Sequence, residues 1–176
     1  MFKQKINVRK LMAAGTAALA IGAASSTDAA TATSNLSVTA SVTANCTIAT
    51  APVAFGAYDP VSANATTALN GTGTVSVTCT NGATTTVTLG QGSNPAGGST
   101  AAAPARRLKD GGTDLLTYSL YSDAGRATVW GDTAGTGVPH TGTGTLTALT
   151  VYGAVDAGQQ VPAGSYSDTV VATITF

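Results

Sequence analysis

The residues that could do chemistry in this 176-residue chain are few and far apart. Its two cysteines are Cys46 and Cys79, and its single histidine is His140. A zinc site needs a close set of Cys, His or carboxylate ligands, and His140 is distant from the cysteine pair in sequence. In an oxidising compartment an even pair of cysteines most simply forms a disulfide. We therefore predict a Cys46–Cys79 disulfide, which stabilises by roughly 4 kcal/mol in the chain-entropy model, and no metal ion or cofactor.

His140 is also the obvious candidate for a catalytic base, but its surroundings favour another role. It lies in the Gly-rich stretch 131–144, which predicts a surface loop. No nucleophile-elbow motif accompanies it. Trp130, beside Gly131, is predicted to be a packing anchor at a strand end rather than a platform for a sugar. We predict that the protein is not an enzyme.

The charged residues predict loops. From Thr33 onward there are seven Asp, no Glu and four basic residues, so the net charge of this part is −3. All four basic residues lie between Arg106 and Arg126, too few for a nucleic-acid-binding face. The run Arg106-Arg107-x-Lys109 is predicted to be a solvated turn. Four aspartates could suggest calcium, but they lack the spacing of a calcium loop and are predicted to be solvated: Asp110, Asp114, Asp123 and Asp132.

The first 32 residues have the pattern of a secretory signal peptide. Met1–Lys10 carries four basic residues and no acid, and Leu11–Ala24 is uncharged and largely apolar. Small residues follow, with possible cleavage sites at 27–29 and 30–32. About 14 apolar residues are too few for a membrane span, which needs ~20. We predict export of a mature chain that begins near Thr33, which places the cysteines in an oxidising compartment.

The rest of the chain predicts an all-β domain over residues 46–176. β-Branched residues are abundant, strong helix formers are rare, and short segments alternate apolar and polar residues with period two. Turn residues separate these segments, and Asn81-Gly82 is predicted to form a two-residue hairpin. The expected fold is an antiparallel immunoglobulin-like β-sandwich. The predicted strands are 73–79, 84–89, 116–121, 146–152 and 170–176.

Two terminal segments predict an unusual sandwich. In residues 33–45 an apolar row alternates with Ser and Thr, as in an amphipathic strand, and this row is Leu36, Val38, Ala40 and Val42. One interpretation is that this is the first strand of its own sandwich. At the other end the sequence stops at Phe176 within a strand pattern, which predicts an uncovered edge. The second interpretation is that the N-terminal strand is donated to such an edge on another subunit.

Seven segments, in this order, resemble the spore coat protein U domain family, which occurs in subunits of archaic chaperone–usher pili and in a spore coat protein. They are Ala44–Thr47, Pro52–Pro60, Gly73–Gly82, Leu116–Tyr121, Val129–Asp132, Thr150–Gly153 and Val161–Tyr166. The resemblance covers almost the whole mature chain. It implies a sandwich that lacks its final strand and is completed by a donated one. It also makes strand donation our leading interpretation of residues 33–45.

The resemblance further implies partners and a location. Residues Leu36, Val38, Ala40 and Val42 would fill a groove beside the face formed by Val170, Ala172, Ile174 and Phe176. The implied partners are identical or related pilin subunits, a periplasmic chaperone and an outer-membrane usher. The protein would pass through the periplasm to a surface pilus or be secreted, with attachment or biofilm formation as its role. Two alternatives stay open: a coat or surface-layer protein that does not form fibres, and a sugar-binding adhesin domain. A tip adhesin would need a second domain, so a shaft or adaptor subunit is expected.

Overall fold

The computed structural model describes residues 29–176, and these contain eight β-strands and no helix. The predicted signal peptide lies mostly outside the described residues. Nothing in the described part of the chain is a helix long and apolar enough to cross a membrane. The chain divides into two units after Ala40, and every strand belongs to the second. The strands are β1 Cys46–Ala51, β2 Leu69–Cys79, β3 Thr84–Leu89, β4 Arg106–Lys109, β5 Leu115–Tyr121, β6 Val138–Thr141, β7 Leu146–Val155 and β8 Ala172–Thr175.

The strands form two antiparallel sheets, as the sequence predicts. The larger sheet has the order β1-β2-β7-β5-β4, and the smaller has the order β6-β3-β8. Strands β2 and β7 share the longest ladder, from Leu69 opposite Val155 to Thr78 opposite Leu146. Strand β1 pairs only with β2, and β8 pairs only with β3, so both are edge strands of the described domain. These two edges contact each other, one from each sheet.

The core lies between the sheets and follows the period-two pattern. Successive side chains of a strand point to opposite faces, so every second residue of β2, β5 and β7 turns inward. Trp130 is fully buried there, and its Nε1 donates a hydrogen bond to the Val87 carbonyl at 2.9 Å. The predicted packing role of Trp130 is therefore confirmed. The buried apolar cluster comprises Val75, Val77, Val87, Leu89, Leu116, Tyr118, Leu120, Trp130, Val151 and Val155.

The predicted disulfide is present. Cys46 begins β1 and lies opposite Cys79, the last residue of β2. The bond closes a separation of 33 residues and links the edge strand β1 to its neighbour β2 in the larger sheet. Cross-strand neighbours are close enough for such a bond because opposite side chains in an antiparallel pair lie near each other.

The hairpin predicted at Asn81-Gly82 is wrong. A tight turn does form there, with Gly82 at φ 79° and the Ala83 amide bonded to the Thr80 carbonyl at 3.0 Å. However, β2 belongs to the larger sheet and β3 to the smaller, so the turn carries the chain across the sandwich. Turn chemistry specifies the local reversal, whereas the pairing of the flanking strands depends on which apolar faces they bury.

Candidate functional site

Two adjoining cavities form a cleft near the neighbouring edges of the two sheets. Their volumes are about 670 Å³ and about 280 Å³. Three apolar residues, Val53, Phe55 and Leu108, line both cavities. One side of the cleft is the segment that follows β1, and the other is the segment that leads into β8. The core side chains of the larger sheet, such as Leu116 and Val155, form part of the floor.

The first wall depends on glycines in the sheet beneath it. A Cβ atom added to Gly73 would lie 2.7 Å from Val53 Cγ2 and 2.8 Å from the Val53 amide nitrogen. A Cβ at Gly153 would lie 2.7 Å from the Phe55 ring. Only a residue without a side chain allows this close approach. The wall segment therefore lies directly on the sheet, and Phe55 meets Tyr118 edge to face at a centroid distance of 6.0 Å.

The second wall contains part of the predicted acceptor face. Val170 and Ala172 line the smaller cavity, and together with Ile174 they pack against the core. Phe176 differs, because it is 55% exposed and is not among the residues that line the cleft. The outward edge of β8 has no ladder partner among the described residues. Backbone groups of that edge are thus free to pair with an added strand.

Sequence reasoning missed the residues of the first wall. Val53 and Phe55 enter the sequence-based prediction only through the family resemblance, and the glycines beneath them do not enter it. A sequence signal for this wall was present, because Gly71 and Gly73 lie inside a strand that is otherwise rich in Thr and Val. Glycine inside a strand often marks a site where another part of the backbone approaches closely.

Polar groups bridge the sheets at the cleft. The hydroxyl of Tyr118, a buried residue of β5, donates a hydrogen bond to Asp168 Oδ2 at 2.7 Å. Asp168 lines both cavities. Burial, reinforced by the hydrogen bond to Asp168, raises the pKa of Tyr118 well above its ordinary value. The hydroxyl therefore stays protonated and remains a donor.

Arg106 corrects the prediction of a solvated turn. It begins strand β4, and its side chain is 0% exposed. Its Nε donates to the Gly90 carbonyl at 2.8 Å, and its Nη2 donates to the carbonyls of Leu89 and Trp130 at 2.7 and 2.8 Å. Nη1 is buried and has no hydrogen-bond partner among the described residues. Burial lowers the pKa of the guanidinium from its ordinary value. The charge pattern of the run could not show that this side chain turns inward.

The predicted donor segment has no strand structure in this chain. Residues 29–45 form no strand, and β1 begins at Cys46. Leu36, Val38 and Val42 are 87%, 84% and 85% exposed. Ala40 is exposed as well. An alternating apolar row of this kind is unusual in water unless it has a partner to bind.

The other residues considered for catalysis or metal binding are His140 and the aspartates. His140 is in strand β6 and half-buried, so the predicted surface loop is wrong; Pro139 and His140 pair with β3 instead. Asp123 accepts hydrogen bonds from the amides of Thr128 and Ala127, and these bonds lower the pKa of its carboxyl group. In the described part of the chain no three His, Cys, Asp or Glu side chains come together as metal ligands would.

The fold and the cleft define a class of protein: a two-sheet antiparallel β-sandwich with an apolar cleft between the segments that follow β1 and precede β8. The model of the spore coat protein U domain matches residues 32–173. The chain is also 49% identical to Protein U of Myxococcus xanthus, in a match that covers 96% of this chain and 98% of that protein. The chain belongs to the spore coat protein U domain family.

A solved structure shares the fold. It is the pre-assembly complex of the CsuC chaperone and the CsuE tip adhesion subunit from the archaic chaperone–usher Csu pili of Acinetobacter baumannii. The matched chain of that structure is 20% identical to this protein, and the two superpose with a TM-score of 0.55. The match covers 77% of this chain but only 40% of the other, so this chain spans less than half the length of that relative. At this identity the likeness concerns the fold.

Proposed function

We propose that this protein is an exported structural subunit that polymerises into a surface pilus by donor-strand exchange. The observation that carries the proposal is the apolar cleft beside an edge strand, β8, that has no second ladder partner among the described residues. The same chain carries an exposed segment with the alternating pattern of a strand. A cleft on one copy and a strand on the next make a head-to-tail contact, and such contacts build filaments when they do not close into a ring.

The physical basis of the contact is apolar burial plus backbone pairing. Leu36, Val38, Ala40 and Val42 of one subunit would turn toward the cleft of the next, where Val53, Phe55, Val170 and Ala172 lie. Moving these side chains out of water contributes on the order of 4–9 kcal/mol before the cost of ordering the segment. Backbone hydrogen bonds to the free edge of β8 add to this and fix the register.

Partners and location follow from the same proposal. A subunit with an open apolar cleft is prone to aggregate before it assembles, so we expect a periplasmic chaperone to cover the cleft first. An outer-membrane usher would then exchange that chaperone for an identical or related pilin subunit. The similar structure contains a chaperone with a subunit of archaic chaperone–usher pili, which supports the chaperone-bound step. The disulfide supports passage through an oxidising compartment.

A second candidate function is a coat component of the same fold that does not exchange strands. The family description refers to a spore coat, and Protein U of Myxococcus xanthus matches over nearly the full length of both chains. In that case the cleft would not receive residues 33–45 of another copy.

Electron microscopy of the purified chain separates the two functions. We expect negative-stain images of the mature chain to show fibres, and a variant that lacks residues 33–44 to remain monomeric in sedimentation velocity. A coat component that does not exchange strands would assemble equally with and without this segment. That second result would contradict strand donation.

A further inference from the structure

Polar contacts join the larger sheet to the second wall of the cleft and to the smaller sheet. Tyr118 projects from β5 of the larger sheet, and Asp168 lies in the segment that leads into β8 of the smaller one. Their hydrogen bond, from the tyrosine hydroxyl to Asp168 Oδ2, is 2.7 Å long. It therefore joins the floor of the cleft to its second wall.

Asp168 also holds a loop against this wall. Its Oδ1 accepts hydrogen bonds from the amides of Ser93 and Thr169, both at 2.8 Å, and from Asn94 Nδ2 at 3.4 Å. Gly92 has φ 81°, and a Cβ there would lie 3.0 Å from Asp168 Cγ. The loop can wrap around the carboxylate because Gly92 has no side chain. One carboxylate thus connects three parts of the chain.

Arg106 makes a second tie next to the first. It lies opposite Tyr118 in the β4–β5 ladder. Its guanidinium reaches the carbonyls of Leu89 and Gly90, at the end of β3, and the carbonyl of Trp130. Strands β4 and β3 belong to different sheets, so this side chain connects the sheets through buried hydrogen bonds.

We infer that the Tyr118–Asp168 hydrogen bond holds the second wall against the floor of the cleft, in the position that an incoming strand requires, and that Arg106 fixes β4 to the end of β3 behind it. This inference rests on the proposed function. Two apolar walls that face each other gain stability by closing, because closure removes apolar surface from water. The ties oppose this closure and keep the binding-competent form populated. When only a fraction of molecules is competent, the apparent affinity falls by that fraction.

The test uses strand-binding kinetics rather than stability alone. The full mature chain carries Val38→Asp, so that its own segment does not compete, and a fluorescent peptide of residues 33–45 is added in stopped flow. Tyr118→Phe removes the hydroxyl and keeps the ring. We expect the association rate to fall about tenfold, since hydrogen bonds to charged groups are among the stronger ones. The dissociation rate should change little, because a bound strand itself separates the walls.

The matched control is Tyr121→Phe, which removes a hydroxyl from the opposite face of the same strand. A purely stabilising role for Tyr118 would lower the melting temperature and leave the association rate equal to that of the control; this result would overturn the inference. Asp168→Asn, which removes the charge at constant shape, should slow association in the same direction and decides the question if Tyr118→Phe does not fold. If the peptide fails to bind the parent chain, the proposed function is contradicted and the inference falls with it.

Discussion

The Val38→Asp substitution changes one exposed side chain. It tests whether the side chain at position 38 becomes buried when subunits assemble. Val38 is 84% exposed in the chain, so the substitution should alter the stability of the subunit by only about 0.5 kcal/mol or less. Within a cleft, the loss of the valine side chain costs about 1.5–3 kcal/mol. A carboxylate without a partner adds a further desolvation cost. A total of about 3 kcal/mol or more corresponds to a decrease in affinity of about a hundredfold or more.

Sedimentation velocity and negative-stain microscopy measure the outcome. We expect Val38→Asp to remain monomeric at concentrations where the unmodified chain forms oligomers and fibres, and its chaperone binding to be unchanged. Thr39→Asp is the matched control, because it places the same charge one residue on, where a strand turns its side chain to the opposite face. Equal polymerisation of the two variants would contradict burial of the Val38 side chain in the cleft, since a cleft that buries one face of the strand must distinguish them.

Three further predictions concern the scaffold of the cleft. Replacing Cys46 and Cys79 together by serine should lower the free energy of unfolding by about 4 kcal/mol. Reducing agent should no longer affect the denaturation midpoint of that variant. A midpoint equal to that of the unmodified, oxidised chain would contradict the predicted contribution of the disulfide. Gly73→Ala should destabilise the domain and weaken peptide binding, because the new Cβ meets backbone atoms of the first wall, whereas Gly97→Ala, with open space around it, should leave both unchanged in calorimetry and titration. Arg106→Lys should lower the urea midpoint by an amount equivalent to about 1–3 kcal/mol, because one ammonium cannot reproduce the planar fork of hydrogen bonds to three carbonyls; a wild-type midpoint would contradict this.

Five of the eight strands of the described domain, β2, β3, β5, β7 and β8, and the disulfide could be predicted from local patterns. The alternation in Thr84–Leu89 predicts β3 with the bounds that the structure has, and the two cysteines predict a bond that the structure contains. These features depend on period-two burial and on the number of cysteines. Period-two burial can be read from a short stretch of sequence, and the cysteines can be counted.

Features that depend on distant pairing could not be predicted in this way. The turn at Asn81-Gly82 has the expected local chemistry, yet it connects two sheets because β2 and β3 find different partners. Arg106 is buried because three carbonyls from other segments surround its guanidinium, and nothing in its neighbouring residues indicates them. The cleft itself arises where the segments after β1 and before β8 meet. Of the predicted acceptor residues Val170, Ala172, Ile174 and Phe176, the first two line the cleft, whereas the wall at Val53 and Phe55 was not predicted.

Donor-strand exchange requires that residues 33–45 of one subunit bind in the cleft of another, and nuclear magnetic resonance detects this binding residue by residue. Isotopically labelled full mature chain carrying Val38→Asp is titrated with an unlabelled peptide of residues 33–45. Strand donation predicts that the largest chemical-shift changes fall on residues of the cleft, such as Val53, Phe55 and Ala172, and not on the outer face at Tyr121. Shift changes confined to the outer face, or none at saturating peptide, would contradict strand donation.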